Sequence, residues 1–146
     1  MKDVKAELID MLNQALKLEH AARIQYLAHA EQITGLNAEA IIARLKEIAG
    51  DEAKHEEKFR ALIANYLGGI PCMELAETHP GKDVESILSI NLKDEKTAID
   101  FYKLIHKKII ENKDSFPYEF ETLEHEVRHI ILDEQEHISE LKTLIG

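Results

Sequence analysis

At 146 residues the chain is long enough for one domain, taken as 1–146, with a sizeable core. It is 45% hydrophobic, has only three prolines and six glycines and lacks Trp, a profile that favours helices over a strand-rich fold. A net charge of −10 argues against nucleic acid as a partner, and the single Cys72 excludes a disulfide framework or a thiolate metal cluster within one chain. The start, Met1 to Lys5, is charged and leads into an amphipathic pattern. Neither a secretory leader nor a membrane span is expected, and the cytoplasm is the default location.

Four stretches carry apolar residues at the alternating three- and four-residue spacing of helices packed in a bundle. The first, about 3–33, presents Leu8, Leu12, Ala15, Glu19, Ala22, Tyr26, His29 and Ile33. Gly35 is expected to end it, and Asn37 to cap the next helix. The second, about 38–66, presents Ile41, Leu45, Ile48, Glu52, His55, Phe59, Leu62 and Tyr66, and stops at Gly68 and Gly69. Residues 67–83 have no clear period and hold three glycines and two prolines. The third helix, about 84–111, is capped by Asp83 and presents Leu88, Asn91, Glu95, Ala98, Tyr102, Ile105 and Ile109. A turn from Asn112 leads into the fourth, about 117–144, with Pro117 near its first turn. Its seam is Phe120, Leu123, Val127, Ile130, Glu134, His137, Leu141 and Leu144.

These four helices, each about 42 Å long at 28 residues, form two hairpins. The segment 67–83 can extend about 56–61 Å, enough to run the length of the bundle. The expected fold is therefore all-α: a four-helix bundle of two helical hairpins joined by one long crossover. The hairpins also resemble each other. Glu19, Ala22 and Tyr26 match Glu95, Ala98 and Tyr102 in spacing, and Asp51, Glu52 and His55 match Asp133, Glu134 and His137.

Each seam is interrupted near its middle by a glutamate. A bare Glu-x-x-His is a weak signal, because twenty Glu and eight His give about one by chance. The chain has three, and Glu126/His129 serves as an internal control: it flanks the seam and is expected to face solvent. Glu52/His55 and Glu134/His137 differ because they displace core residues. In heptad terms Glu19, Glu52, Glu95 and Glu134 share position a. His55 and His137 occupy d, where the other two helices carry Ala22 and Ala98. A buried carboxylate must be paired, protonated or given a metal. Four carboxylates balance two divalent ions if the imidazoles are neutral, and oxygen and nitrogen donors without thiolate suit Fe, Mn or Zn. The six residues are thus candidate ligands of a dinuclear centre. Tyr26 could hydrogen-bond to a ligand or act as a redox-active phenol, or be an ordinary core tyrosine. Asp51 and Asp133 could hold the histidines of a neighbouring helix or be solvated. His29 is read as structural, and His20, His79, His106 and His125 as surface residues.

One Glu from each of two helices and Glu-x-x-His from each of the other two is the ligand set of ferritin-like di-iron carboxylate proteins. Within that superfamily the chain most resembles the bacterioferritins. The resemblance runs from about Asn13 to Leu144, through Leu18-Glu19, Ile24 to Ala30, Asp51 to His55, Gly69 to Pro71, Gly81 to Glu85 and Asp133 to Ile138. It implies two iron ions. Glu19 and His55 would be terminal ligands of one, Glu95 and His137 of the other, with Glu52 and Glu134 bridging and Tyr26 alongside. The implied activity is oxidation of Fe(II) by O2 or H2O2, in a protein that is at least a dimer. Iron storage in a shell and a di-manganese or mixed-metal oxidoreductase are the alternatives. Two departures matter. Ala53 stands where bacterioferritins carry a haem-binding Met, so no haem is expected there. The chain also ends nine residues after His137, without the family's short fifth helix, which puts a 24-subunit cage in doubt. Rubrerythrins are also similar, but their extra Glu on the third helix is here Ala98, and their Cys-rich domain is not present.

Overall fold

A computed structural model describes residues 3–146; Met1 and Lys2, used above in reading the start of the chain, lie outside the described residues. The chain forms four long α-helices: α1 Val4–Gln32, α2 Ala38–Ala61, α3 Val84–Glu111 and α4 Phe120–Ile145. Among the described residues there is no strand, and no helix is long and apolar enough to cross a membrane. α1 packs on α2 and α3 on α4, and the two hairpins meet through α1 against α3 and α2 against α4. The four-helix bundle of two hairpins read from the seams is the fold observed.

Several helix ends depart from the expected chemistry. Asn37 stands at the start of α2 but does not cap it with its side chain; its backbone is left-handed at φ 67°. Asn tolerates that conformation better than most residues. With Gly35 also at positive φ, the chain reverses direction within a few residues. α2 loses α-helical pairing at Ala61 and continues as a π-helical turn, Leu62–Tyr66, before Gly68 at φ 71° breaks it off. α4 begins three residues later than Pro117. Phe116, buried and non-helical at φ −129° and ψ 63°, is disfavoured from helix by the proline after it. A short 3-10 turn, Lys113–Ser115, fills the gap. Asp83 does cap α3: its carboxylate accepts from the Ser86 N–H at 2.7 Å while the Ser86 hydroxyl accepts from the Asp83 N–H at 3.1 Å.

The crossover lies along α1 for much of its length. The Asn13 side-chain amide donates to the Ile70 carbonyl, the Ala76 N–H donates to the Lys17 carbonyl at 3.0 Å, and the Gln32 amide donates to the Gly81 carbonyl. From Asn13 to Gln32 along α1 is about 28 Å at the helical rise. The crossover therefore carries the chain from the end of α2 back to the end where α2 began, so α2 and α3 run in the same direction. That places Glu52 and Glu95 at the same depth. The apolar core falls into two clusters. One is built around Leu8, Leu12, Phe59, Tyr102, Ile105 and Val127, the other around Tyr26, Ile33, Leu45, Ile48, Leu88 and Leu141. The charged layer lies at the level between them.

Candidate metal centre

Four glutamates and two histidines that share one heptad register must meet once the four helices align. Glu19 comes from α1, Glu52 and His55 from α2, Glu95 from α3, and Glu134 and His137 from α4. All six are buried, none more than 3% exposed. His55 Nδ1 lies 3.2 Å from both Glu52 Oε1 and Glu134 Oε1 and 3.5 Å from Glu19 Oε1. His137 Nδ1 lies 3.2 Å from Glu134 Oε1 and 3.6 Å from Glu52 Oε1 and Glu95 Oε1. Two ligand groups result, with donor atoms within 4.8 Å of one another: Glu19, Glu52, His55 and Glu134, and Glu52, Glu95, Glu134 and His137. Glu52 and Glu134 belong to both.

The surrounding contacts repeat with near two-fold symmetry. The far ring nitrogen of His55 lies 2.8 Å from Asp133 Oδ2, and that of His137 lies 2.9 Å from Asp51 Oδ2. Each aspartate thus accepts an Nε2–H from the histidine of the opposite hairpin. In the neutral ring this leaves the Nδ1 lone pair directed into the cluster. Tyr26 donates its hydroxyl to Glu95 Oε1 and Tyr102 donates to Glu19 Oε1, each at 2.7 Å. Asp51 and Asp133, open between two readings from sequence, are hydrogen-bond partners of the histidines. Tyr26 touches a candidate ligand. Tyr102 was not singled out as a site residue, although its place opposite Tyr26 in the repeat was the signal for it.

The electrostatics are those of charge forced together. Burial, then the charge of Glu134, pushes the Glu19 carboxyl up to about 7. Glu52 and Glu95 rise well above the carboxylate range for the same two reasons. Glu134 goes the other way: burial opposes its ionisation, but the two imidazoles and Glu52 beside it hold it ionised below the usual range. Burial also opposes the imidazolium forms, yet the surrounding carboxylates prevail, carrying His137 to about 11 and His55 further up. Burial and the neighbouring carboxylates raise both tyrosine hydroxyls, so each stays protonated and donates. A site of this kind needs positive charge, and protons supply it when nothing else does.

Residues 9–146 match the Ferritin family, a ferritin-like domain. The chain belongs to the ferritin-like family. It is similar to the bacterial ferritin of Neisseria meningitidis serogroup B, 34% identical over 96 residues that cover 66% of this chain and 62% of that protein. The chain thus spans less than two thirds of that relative's length. In structure it is similar to a ferritin-like, diiron-carboxylate protein of Bacillus anthracis, with a TM-score of 0.90, 24% identity and all of both chains covered. It is also similar to the bacterioferritin of Desulfovibrio desulfuricans, with a TM-score of 0.86 and 27% identity over 98% of this chain and 80% of that one.

Of the other histidines of this ferritin-like chain, His29, His79 and His125 lie where expected, while His20 and His106 are partly buried. His29 is structural, as read: its Nδ1 accepts from Asn91 and its Nε2–H donates to the His79 carbonyl. His20 is not simply a surface residue, since its ring is 2.6 Å from the Glu74 carbonyl and fastens the crossover. His79 and His106 are paired with Asp94 and Glu124, each at 3.0 Å. Glu126 pairs with Lys58 at 3.0 Å, and His129 stacks on His125, with ring centroids 4.2 Å apart. Neither joins the two ligand groups.

Proposed function

We propose that this chain is a di-iron carboxylate oxidoreductase that oxidises Fe(II) with O2 or H2O2. One observation carries the reading. Glu19 Oε2 and Glu95 Oε2 are buried without a hydrogen-bond partner, and Glu52 Oε1, Glu134 Oε1, His55 Nδ1 and His137 Nδ1 are buried with only other members of the layer within 3.2–3.6 Å. Four carboxylates crowded together away from water repel one another, so the layer calls for positive charge between them. Oxygen and imidazole donors around a compact space fit divalent transition metals. Glu19 and His55 would hold one ion, Glu95 and His137 the other, and Glu52 and Glu134, which belong to both groups, would serve both. Bound there, two irons would deliver two electrons to dioxygen or peroxide.

The chain's own residues set the conditions for that chemistry. Asp51 and Asp133 fix the histidine tautomers. Tyr26 and Tyr102 hold Glu95 and Glu19 in orientation through short hydrogen bonds. The two apolar clusters keep bulk water from both ends of the layer. Ala22 and Ala98 border the cavity that reaches the site and leave room for a small oxidant. In the same reading, residues 1–146 act as one domain in the cytoplasm, no haem binds at Ala53, and the chain is at least a homodimer. Ile24 and Leu27, about 40% exposed on α1, support the last point.

Anaerobic titration should saturate at about two Fe(II) per chain, and admitting oxygen should then raise near-ultraviolet ferric absorbance. Absence of binding, or binding unchanged in the Glu52→Ala/Glu134→Ala variant, would overturn the proposal.

A further inference from the structure

Two of the eight histidines take no part in the contacts that hold the others. His20, His29, His55, His79, His106 and His137 each set a ring nitrogen against a carbonyl or a carboxylate. Among the described residues, His125 and His129 have no hydrogen bond or ion pair on either ring. The two rings lie against each other instead, with centroids 4.2 Å apart and planes inclined by 37°. His125 is exposed and His129 partly so, and solvent reaches both.

The helix itself sets the pair. His125 and His129 are one turn apart on α4, so their side chains share a face. The stretch reads His125-Glu126-Val127-Arg128-His129, the spacing at which two imidazoles of one helix bind zinc. In that pattern the glutamate serves as general base in hydrolysis. Here Glu126 is committed elsewhere: it pairs with Lys58 of α2 at 3.0 Å, across the groove between the two helices. The stretch therefore keeps the means to hold an ion and lacks a free base. Arg128 is turned to Glu124 at 2.7 Å, so both nearby cations are already neutralised. Glu121, one turn before His125, lines the same shallow hollow and adds negative charge beside the rings. The rings need only turn so that one nitrogen of each comes about 2.0–2.1 Å from a shared ion.

We propose that His125 and His129 form a chelating site for one divalent ion of the zinc and copper class, on the surface of α4 and separate from the buried layer. Imidazole suits Zn(II), Ni(II) and Cu(II), whereas Mg(II) and Ca(II) seek oxygen donors and are not retained. Once one ring has bound, the other is held within reach, so the pair binds far more tightly than either ring alone. The inference does not depend on the two-metal reading above. Asp133, one turn beyond His129, is engaged with His55 and marks the boundary between the two places.

Cu(II) held by iminodiacetate serves as the probe, because the complex leaves coordination positions open to exposed imidazoles and is too bulky for a layer whose six residues are at most 3% exposed. Equilibrium binding of the full, untagged chain to this complex should weaken about a hundredfold in His125→Ala and equally in His129→Ala. Binding at wild-type strength in both variants overturns the site, as does an absence of binding by the wild type. Small losses in the single variants, with a large loss only when both rings are removed, would mean two independent histidines and overturn the chelate. His79→Ala removes an exposed histidine elsewhere and should bind as the wild type does; an equal loss there would make binding a general property of surface histidines and overturn the assignment. Anaerobic Fe(II) titration of His125→Ala and His129→Ala should match the wild type, because the buried layer is intact in both. A lower Fe(II) stoichiometry in these variants than in the wild type would overturn the separateness of the two sites, whereas a wild type that takes up no Fe(II) would strike the two-metal reading alone.

Discussion

At the scale of single residues, the site is decided by which atom of each side chain is left over. His55 and His137 each give one nitrogen to an aspartate across the bundle, and that contact aims the other nitrogen inward. Asp133→Ala and Asp51→Ala should therefore weaken metal binding by about 10–100-fold each, because the ring loses its fixed tautomer and orientation. A competition titration against a chelator of known affinity measures the change; affinities equal to wild type would show that the aspartates are bystanders. The tyrosines pose a separate question. Tyr102→Phe removes the hydroxyl that satisfies Glu19 Oε1 and should cost about 0.5–1.5 kcal/mol in the metal-free protein, read from denaturant midpoints. Tyr26→Phe should behave alike, since Tyr26 makes the matching contact to Glu95. A large difference between the two would mean that the symmetry of the contacts does not extend to their energetics.

At the scale of elements, the crossover is more than a tether. It has no helix of its own, yet it is fastened along α1 by side chains spaced down that helix. Its last turn is close-packed: a methyl group on Gly81 would overlap Ile87 at the start of α3. Gly81→Ala should destabilise the fold by about 1–3 kcal/mol, as overpacking does, and should raise hydrogen exchange around residues 76–83 before it affects the helices. Protection left unchanged there would show that the end of the crossover yields without strain. The helix termini show why boundaries were harder to read than seams. Asn37 has the composition of a cap but serves as a left-handed turn residue, and Pro117 sets the start of α4 by excluding Phe116 from the helix.

At the scale of the whole molecule, stability and charge are linked through the ligand layer. Without cations, Glu19, Glu52 and Glu95 have raised carboxyl pKa values, and His55 and His137 have raised imidazolium values. The sign is the same for all five. The folded state binds protons more tightly than the unfolded chain, so this stability is full at low pH and is lost as pH rises. For Glu19 the loss runs from about 4.5 through about 7, and for His137 it continues from 6.5 towards about 11. Glu134 opposes it, being held ionised, and loses its contribution only as pH falls below the ordinary carboxylate range. The thermal midpoint of the metal-free protein should therefore fall as pH rises across neutrality. Divalent metal should raise the midpoint and flatten that fall, because the ions take over the charge that protons supplied. A metal-free midpoint that climbs over the same range would contradict this account.

The sequence by itself determined the four helices, the crossover and the six residues of the layer. The reason is periodicity: a glutamate that holds its place in an apolar seam needs no knowledge of its neighbours to be read as buried, and four seams in one register must meet. Only the tertiary structure decided what depends on contacts between helices far apart in the chain. Asp51 and Asp133 could be ligand-holders or solvated groups until the bundle set each against a histidine of the other hairpin. Tyr102 gained its meaning by facing Glu19, 83 residues away. His20 on α1 reads as a surface residue because nothing in an aperiodic crossover signals that it will lie against that helix, and Gln25, which joins α1 to Asp94 of α3 and to the crossover at His79, carries no signal at all. Position along a helix is written in local spacing, whereas hydrogen-bond partners are chosen by packing between elements.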